Sequence, residues 1–154
     1  MATGPKQPIS VYLSYTQKDE ALKQEFEDYL VIMQQTGLIS GWVERQVQSG
    51  TDWSQVIDPR LLVADLVLLL VSPALFASGY CSGAEVREAF KRSEKGEARV
   101  IPIILHYINL KGYLLDTVQS TNAIPISSWP DRNEAWRHID QELRASIEDM
   151  TKQY

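Results

Sequence analysis

The stretch Leu66–Val71 reads LVLLLV, with no polar residue on either of its alternating faces. Side chains of a strand point to opposite faces in turn, so a strand apolar throughout must be covered on both. That is the environment at the middle of a parallel sheet flanked by helices, and it commits the chain to an α/β layout. The run is also far too short to span a bilayer.

The flanking sequence alternates strand and helix patterns. Ile9–Ser14 (ISVYLS) reads as a first strand. Leu22, Phe26, Tyr29, Leu30 and Met33 follow at helical spacing, with Gly37 as the stop. Leu38–Val43 forms a short second strand and Glu44–Gly50 a polar loop. A helix capped by Thr51 is expected next, broken near residue 58 by Asp58-Pro59 and ending near Ala64. After the third strand, Ser72-Pro73 signals a short turn or helix. A longer helix covers Ser82–Lys95, and Val100–Leu105 is a fourth strand that Pro102 places near an edge. Ile108–Thr121 carries no clear pattern. Ala123–Ile126 is a small fifth strand, and Asp131–Met150 is the last helix, with Ala135, Trp136, Ile139, Leu143 and Ile147 on one face. The expectation is a flavodoxin-like, doubly wound five-stranded parallel sheet of order 2-1-3-4-5. It fills residues 8–150 as one domain, between a flexible lead (1–7) and a tail (151–154).

A chain of 154 residues buries enough surface for one domain. Its net charge of −5, without a dense Lys/Arg stretch, argues against nucleic acid or an anionic membrane as partner. No apolar leader is present, so a cytoplasmic location is expected. A doubly wound sheet binds ligands beyond its strand ends, where the strand order reverses. Here that is the crevice between strands one and three, lined by Tyr15–Asp19, the end of the second strand and Ser72–Glu85. Several chemistries fail there. Ser14–Lys18 lacks the glycines of a phosphate loop, and the aspartates of a phosphoacceptor domain are missing. His106 and His138 stand apart and Cys81 is the single cysteine, so no metal site is expected. Cys81 has no evident histidine partner for nucleophilic work.

Glu85 remains, with two readings. Ser82-Gly83-Ala84-Glu85 has the spacing of a capping box, a purely structural use. A carboxylate in the first turn is also kept anionic by the helix dipole, and beside the crevice it can stabilise a developing cation.

Taken together, the boxes are specific. Val11-Tyr12-Leu13-Ser14-Tyr15 resembles the opening of TIR domains. Gly37-Leu38-Ile39-Ser40-Gly41-Trp42, then Gly50, Trp53 and Ile57, resembles their second strand, BB loop and following helix. Ala64-Asp65 before Leu68–Ser72, then Tyr80-Cys81 with Glu85 four residues beyond the cysteine, continues the match. Arg99–Ile104 and Ser128-Trp129 to Trp136 resemble bacterial members. The resemblance covers about residues 8–148.

The resemblance implies that Glu85 is catalytic and that the chain cleaves NAD between nicotinamide and ribose, NAD being substrate and no cofactor or metal being required. Nicotinamide leaves as a neutral molecule, so the demand on the protein is to stabilise oxocarbenium character on the ribose, as in glycoside hydrolysis. Water, or the adenine ring in cyclising members, then attacks. Substrate contacts are implied at Ser14, Tyr15, Thr16 and Gln17, at Trp42 and Arg45, and at Ser72, Tyr80 and Cys81. Thr16-Gln17 departs from relatives with basic residues there, which shifts phosphate pairing to Arg45. Glu44 replaces a common aspartate. Cys81 stands where several relatives have tryptophan, and Tyr80 either supplies that aromatic surface or staples the helix entry. Trp42 and Trp53 fit the core as well as a ligand platform. Self-association is implied through Glu44, Arg45, Gln46, Val47, Gln48, Ser49 and Gly50. Sensor domains in a longer native chain and a bacterial antiviral role are implied too. A non-enzymatic adaptor that only recruits other TIR domains is the alternative, and a flavodoxin-like nucleotide carrier a third.

Overall fold

The computed structural model describes residues 8–118 and 120–152. The expected lead (1–7) and the last two residues of the expected tail lie outside them. Four strands form one parallel sheet: β1 (Ile9–Thr16), β2 (Ile39–Val47), β3 (Leu66–Val71) and β4 (Arg99–Ile104), in the order β2-β1-β3-β4. This matches the first four positions of the expected order. Every residue of β3 is buried. Leu66, Leu68 and Leu70 pack with Phe26, Leu30 and Met33 of α1 (Glu20–Gln35) and Trp136, Ile139 and Leu143 of α4 (Arg132–Thr151). Val67, Leu69 and Val71 face the other way, against α2 (Pro73–Ala77) and α3 (Ala84–Glu94).

Local signals set most boundaries. Gly37 takes φ +81°, Leu38 N–H donates to Met33 O at 2.9 Å, and Gly37 N–H donates to Gln34 O at 3.1 Å. That pair of bonds is a Schellman stop, and the left-handed residue it needs favours glycine. Ser72 caps α2 by accepting the Leu75 amide, with Pro73 in the first turn, and Asp131 caps α4 through the Asn133 amide.

Four expectations need correction. The fifth strand does not form at Ala123–Ile126. The Asn122 carboxamide takes its place, accepting the Ile104 amide at 3.0 Å and donating to the Ile104 carbonyl at 2.9 Å. Those are the bonds a neighbouring strand would make to β4, and Pro125 has no N–H to extend a ladder. Ile126 instead drops into the core from a short 3-10 turn, Ile126–Ser128. Second, no helix follows Thr51. Asp52 accepts the Ser54 amide at 3.0 Å and Trp53 O accepts the Ala84 amide at 3.0 Å, so these backbone groups are satisfied outside a helix. A 3-10 turn, Pro59–Val63, starts at the expected Asp58-Pro59 signal. Third, Glu44–Val47 is strand and not loop, because β1 runs on to Thr16 and pairs with β2 as far as Val47. Fourth, Gly83 and not Ser82 is the N-cap residue of α3, so the capping box is not made.

Candidate active site

At the carboxyl ends of β1 and β2, a cleft of about 520 Å3 is lined by Thr16, Gln17, Lys18, Val47, Ser49, Ala74, Ala77 and Ser78. It lies where the strand order reverses, as expected for such a sheet. A smaller space of about 320 Å3 sits at the opposite end of β4, beside Ser93, Arg99 and Glu142. Thr16 shapes the larger cleft by accepting the Lys18 amide, which starts a 3-10 turn over Gln17–Asp19. Asp19 folds inward, where it accepts a 2.5 Å hydrogen bond from Ser72 Oγ, and His106 Nε2 stands 3.6 Å from its other oxygen. Ser72 is thereby buried and used to join β1 to β3.

Glu85 is 1 % exposed and its carboxylate is fully engaged. Arg45 donates from Nε to Oε2 at 3.0 Å and from Nη2 to Oε1 at 2.7 Å. Oε1 also accepts the Asp58 amide at 2.8 Å, and Oε2 accepts the Tyr80 hydroxyl. Burial and then the charge of Glu85 push the Tyr80 phenol well above its usual range, so it keeps its proton and donates. With that proton given to Glu85, the 2.8 Å contact between Ser14 Oγ and Tyr80 Oη is a bond donated by Ser14. Hydrogen bonding to Glu85 drives the Arg45 guanidinium further up, against the opposing effect of burial. Arg45 also lies over the Trp53 ring at 5.1 Å, and Trp53 meets Tyr80 edge to face at 5.1 Å.

Ser14, Arg45, Tyr80 and Glu85 are therefore one connected group, and Thr16 and Gln17 line the neighbouring cleft. Tyr15, Trp42 and Glu44 are not part of it. Neighbours along a strand point to opposite faces, so Glu44 turns toward α1 while Arg45 turns toward α3. Glu44 accepts from Trp42 Nε1, Tyr15 Oη and Lys23 Nζ, each at 3.2 Å. Burial opposes its charge, but the bonds from Trp42 and Lys23 hold its carboxyl below the usual range. Cys81 is buried in the core, where desolvation pushes its thiol up to about 12. Trp53 is a core residue, as one of its two sequence readings had it. The sequence placed Lys18 within the crevice-lining stretch Tyr15–Asp19 but gave it no role; it is the cation among the cleft's lining residues. Sequence reasoning missed the Asp58 amide, which carries no signal before folding.

The family model described as the TIR domain matches residues 11–143. The chain belongs to the TIR-domain family. Over 145 residues the TIR chain is 33 % identical to an uncharacterized protein, y4lF, of Sinorhizobium fredii, covering 93 % of this chain and 45 % of that one. It thus spans about half the length of that relative. No solved structure matches the chain. Among the described residues no helix is long and apolar enough to cross a membrane.

Proposed function

We propose that this TIR domain is an NAD nucleosidase in which Glu85 stabilises the ribose oxocarbenium that forms as nicotinamide departs. The observation carrying this reading is a buried carboxylate at the carboxyl ends of the central strands, held by Arg45, the Asp58 amide and Tyr80 from three separate segments rather than by its own helix cap. In the reaction the glycosidic C–N bond breaks with its electron pair passing to the nicotinamide nitrogen. Water adds to the ribose carbon and releases one proton, giving nicotinamide and ADP-ribose; attack by the adenine ring gives a cyclic isomer instead. A carboxylate kept in place by the neutral donors Asp58 N–H and Tyr80 Oη lowers the barrier because it needs no reorganisation as the oxocarbenium forms. The adjoining cleft accommodates the rest of the dinucleotide, with Thr16, Gln17 and Lys18 along its wall. Association of domains through residues 44–50 activates the enzyme. In the cell it is the effector part of a cytoplasmic bacterial antiviral protein, joined to sensor domains.

One observation favours a second reading. The closed pairing of Glu85 with Arg45 also suits a structural carboxylate in an adaptor that only recruits other TIR domains. Incubating concentrated protein with NAD separates the two. Nicotinamide release by the wild type, lost in Glu85→Gln, supports the enzyme. Oligomers with no turnover at any concentration, or equal turnover in Glu85→Gln, reject it.

A further inference from the structure

The Glu85 carboxylate has its charge balanced by an arginine on both oxygens and is covered by it. A carboxylate in that state cannot stabilise a ribose cation: its field is cancelled and a substrate cannot reach it. Two buried donors beside the pair are meanwhile unmet. Among the described residues, Tyr12 Oη and Trp53 Nε1 have no hydrogen-bond partner. Such a donor is free to bond a neighbouring acceptor that becomes available. The sheet register explains the closeness of Tyr12. Ser14 pairs laterally with Arg45, and Tyr12 lies two residues earlier on the same face of β1. Tyr12 is fully buried in the cluster that contains Trp53 and Tyr80. Burial first, and then the charge of Glu85, keeps its phenol protonated.

We propose that the Arg45–Glu85 pair is an autoinhibitory lock, and that Tyr12 is the positioning residue that donates to the carboxylate once Arg45 swings away. The exchange replaces a cationic donor by a neutral one. Glu85 stays held by Tyr80, the Asp58 amide and Tyr12, but its negative charge is no longer cancelled. Arg45 lies two residues before the end of β2, so association of domains through residues 44–50 has a direct handle on the lock. The inference rests on the nucleosidase reading for its consequence, though not for its geometry.

The test compares wild type, Arg45→Ala, Arg45→Lys and Tyr12→Phe, each dilute and concentrated. Two readouts are taken: carbodiimide labelling of Glu85, mapped by mass spectrometry, and nicotinamide release from NAD. Labelling of wild-type Glu85 is expected to be low when dilute and to rise on concentration. Dilute Arg45→Ala should be labelled and should release nicotinamide about tenfold faster than dilute wild type. Arg45→Lys, which keeps the charge but loses the two-pronged contact, should fall between and serves if the alanine variant does not fold. Tyr12→Phe should keep the wild-type unfolding midpoint or exceed it, yet lose about tenfold or more in kcat when assembled, with KM unchanged. Glu85 labelling that stays flat in wild type at concentrations that cleave NAD overturns the lock. Full kcat in Tyr12→Phe overturns the role of Tyr12. If labelling responds as expected but no variant releases nicotinamide, the lock stands and the nucleosidase reading fails.

Discussion

Gly83 lies directly against the main chain of Trp53: a Cβ at residue 83 would sit 2.5 Å from the Trp53 carbonyl oxygen and 2.9 Å from its Cβ. The same carbonyl accepts the Ala84 amide, so the contact staples the 51–58 segment to the start of α3. That staple brings the Asp58 amide and the Trp53 ring to Glu85. Gly83→Ala must push backbone against backbone, where no flexible side chain can yield. It is expected to lower stability by about 1–3 kcal/mol, read from urea unfolding. Nicotinamide release by the assembled protein should fall with it. An unchanged midpoint would show that the segment relaxes freely, against this picture.

Asn122, 2 % exposed, caps the edge of β4 with its side chain. Asn122→Ala orphans the Ile104 amide and carbonyl and removes the 2.7 Å bond to Ile124 O. A loss of about 2–4 kcal/mol is expected in equilibrium unfolding. A loss below about 0.5 kcal/mol would mean water replaces the carboxamide.

Cys81 makes stability depend on alkaline pH. Its thiol moves from an ordinary 9.0 to about 12 on folding, because burial disfavours the thiolate. The unfolded chain then releases this proton first, so stability falls as pH rises from 9.0 toward about 12. The slope is about 1.4 kcal/mol per pH unit for one group. The raised tyrosines, such as Tyr15 at about 12, contribute in the same direction only above their ordinary 10.0. Wild type should therefore begin to lose stability near pH 9 and Cys81→Ala about one unit later. Superimposable urea midpoints for the two proteins between pH 8 and 10 would contradict this.

Lys18 supplies the positive charge on the cleft wall. If the dinucleotide diphosphate lies there, Lys18→Ala raises KM for NAD and leaves kcat nearly unchanged, the mark of binding shared by ground and transition states. A fall in kcat at constant KM would place Lys18 in the chemistry instead.

Much of the chain was legible before folding because its signals are local. LVLLLV demanded cover on two faces and received it. Gly37, Asp58-Pro59, Ser72-Pro73 and Asp131 each end or begin an element through bonds to residues within a few positions. The location of a site at the switch point follows from strand order, and strand order from the alternation of elements. The side chains that meet there do not follow from it. Arg45 and Glu85 are forty residues apart, and their pairing depends on β2 running on past Val43 with Arg45 on the α3 face. Spacing gave Glu85 a capping box that the backbone did not make, since the Ser82 amide bonds Gly79 O and the Glu85 carboxylate is taken by Arg45, the Asp58 amide and Tyr80. Ala123–Ile126 had a strand's composition, but an asparagine side chain took its hydrogen bonds first. Sequence determined the layers, the central strand and the helix ends, because propensity and capping act over one or two turns. The tertiary structure alone decided what holds Glu85, because contacts between distant segments leave no periodicity behind.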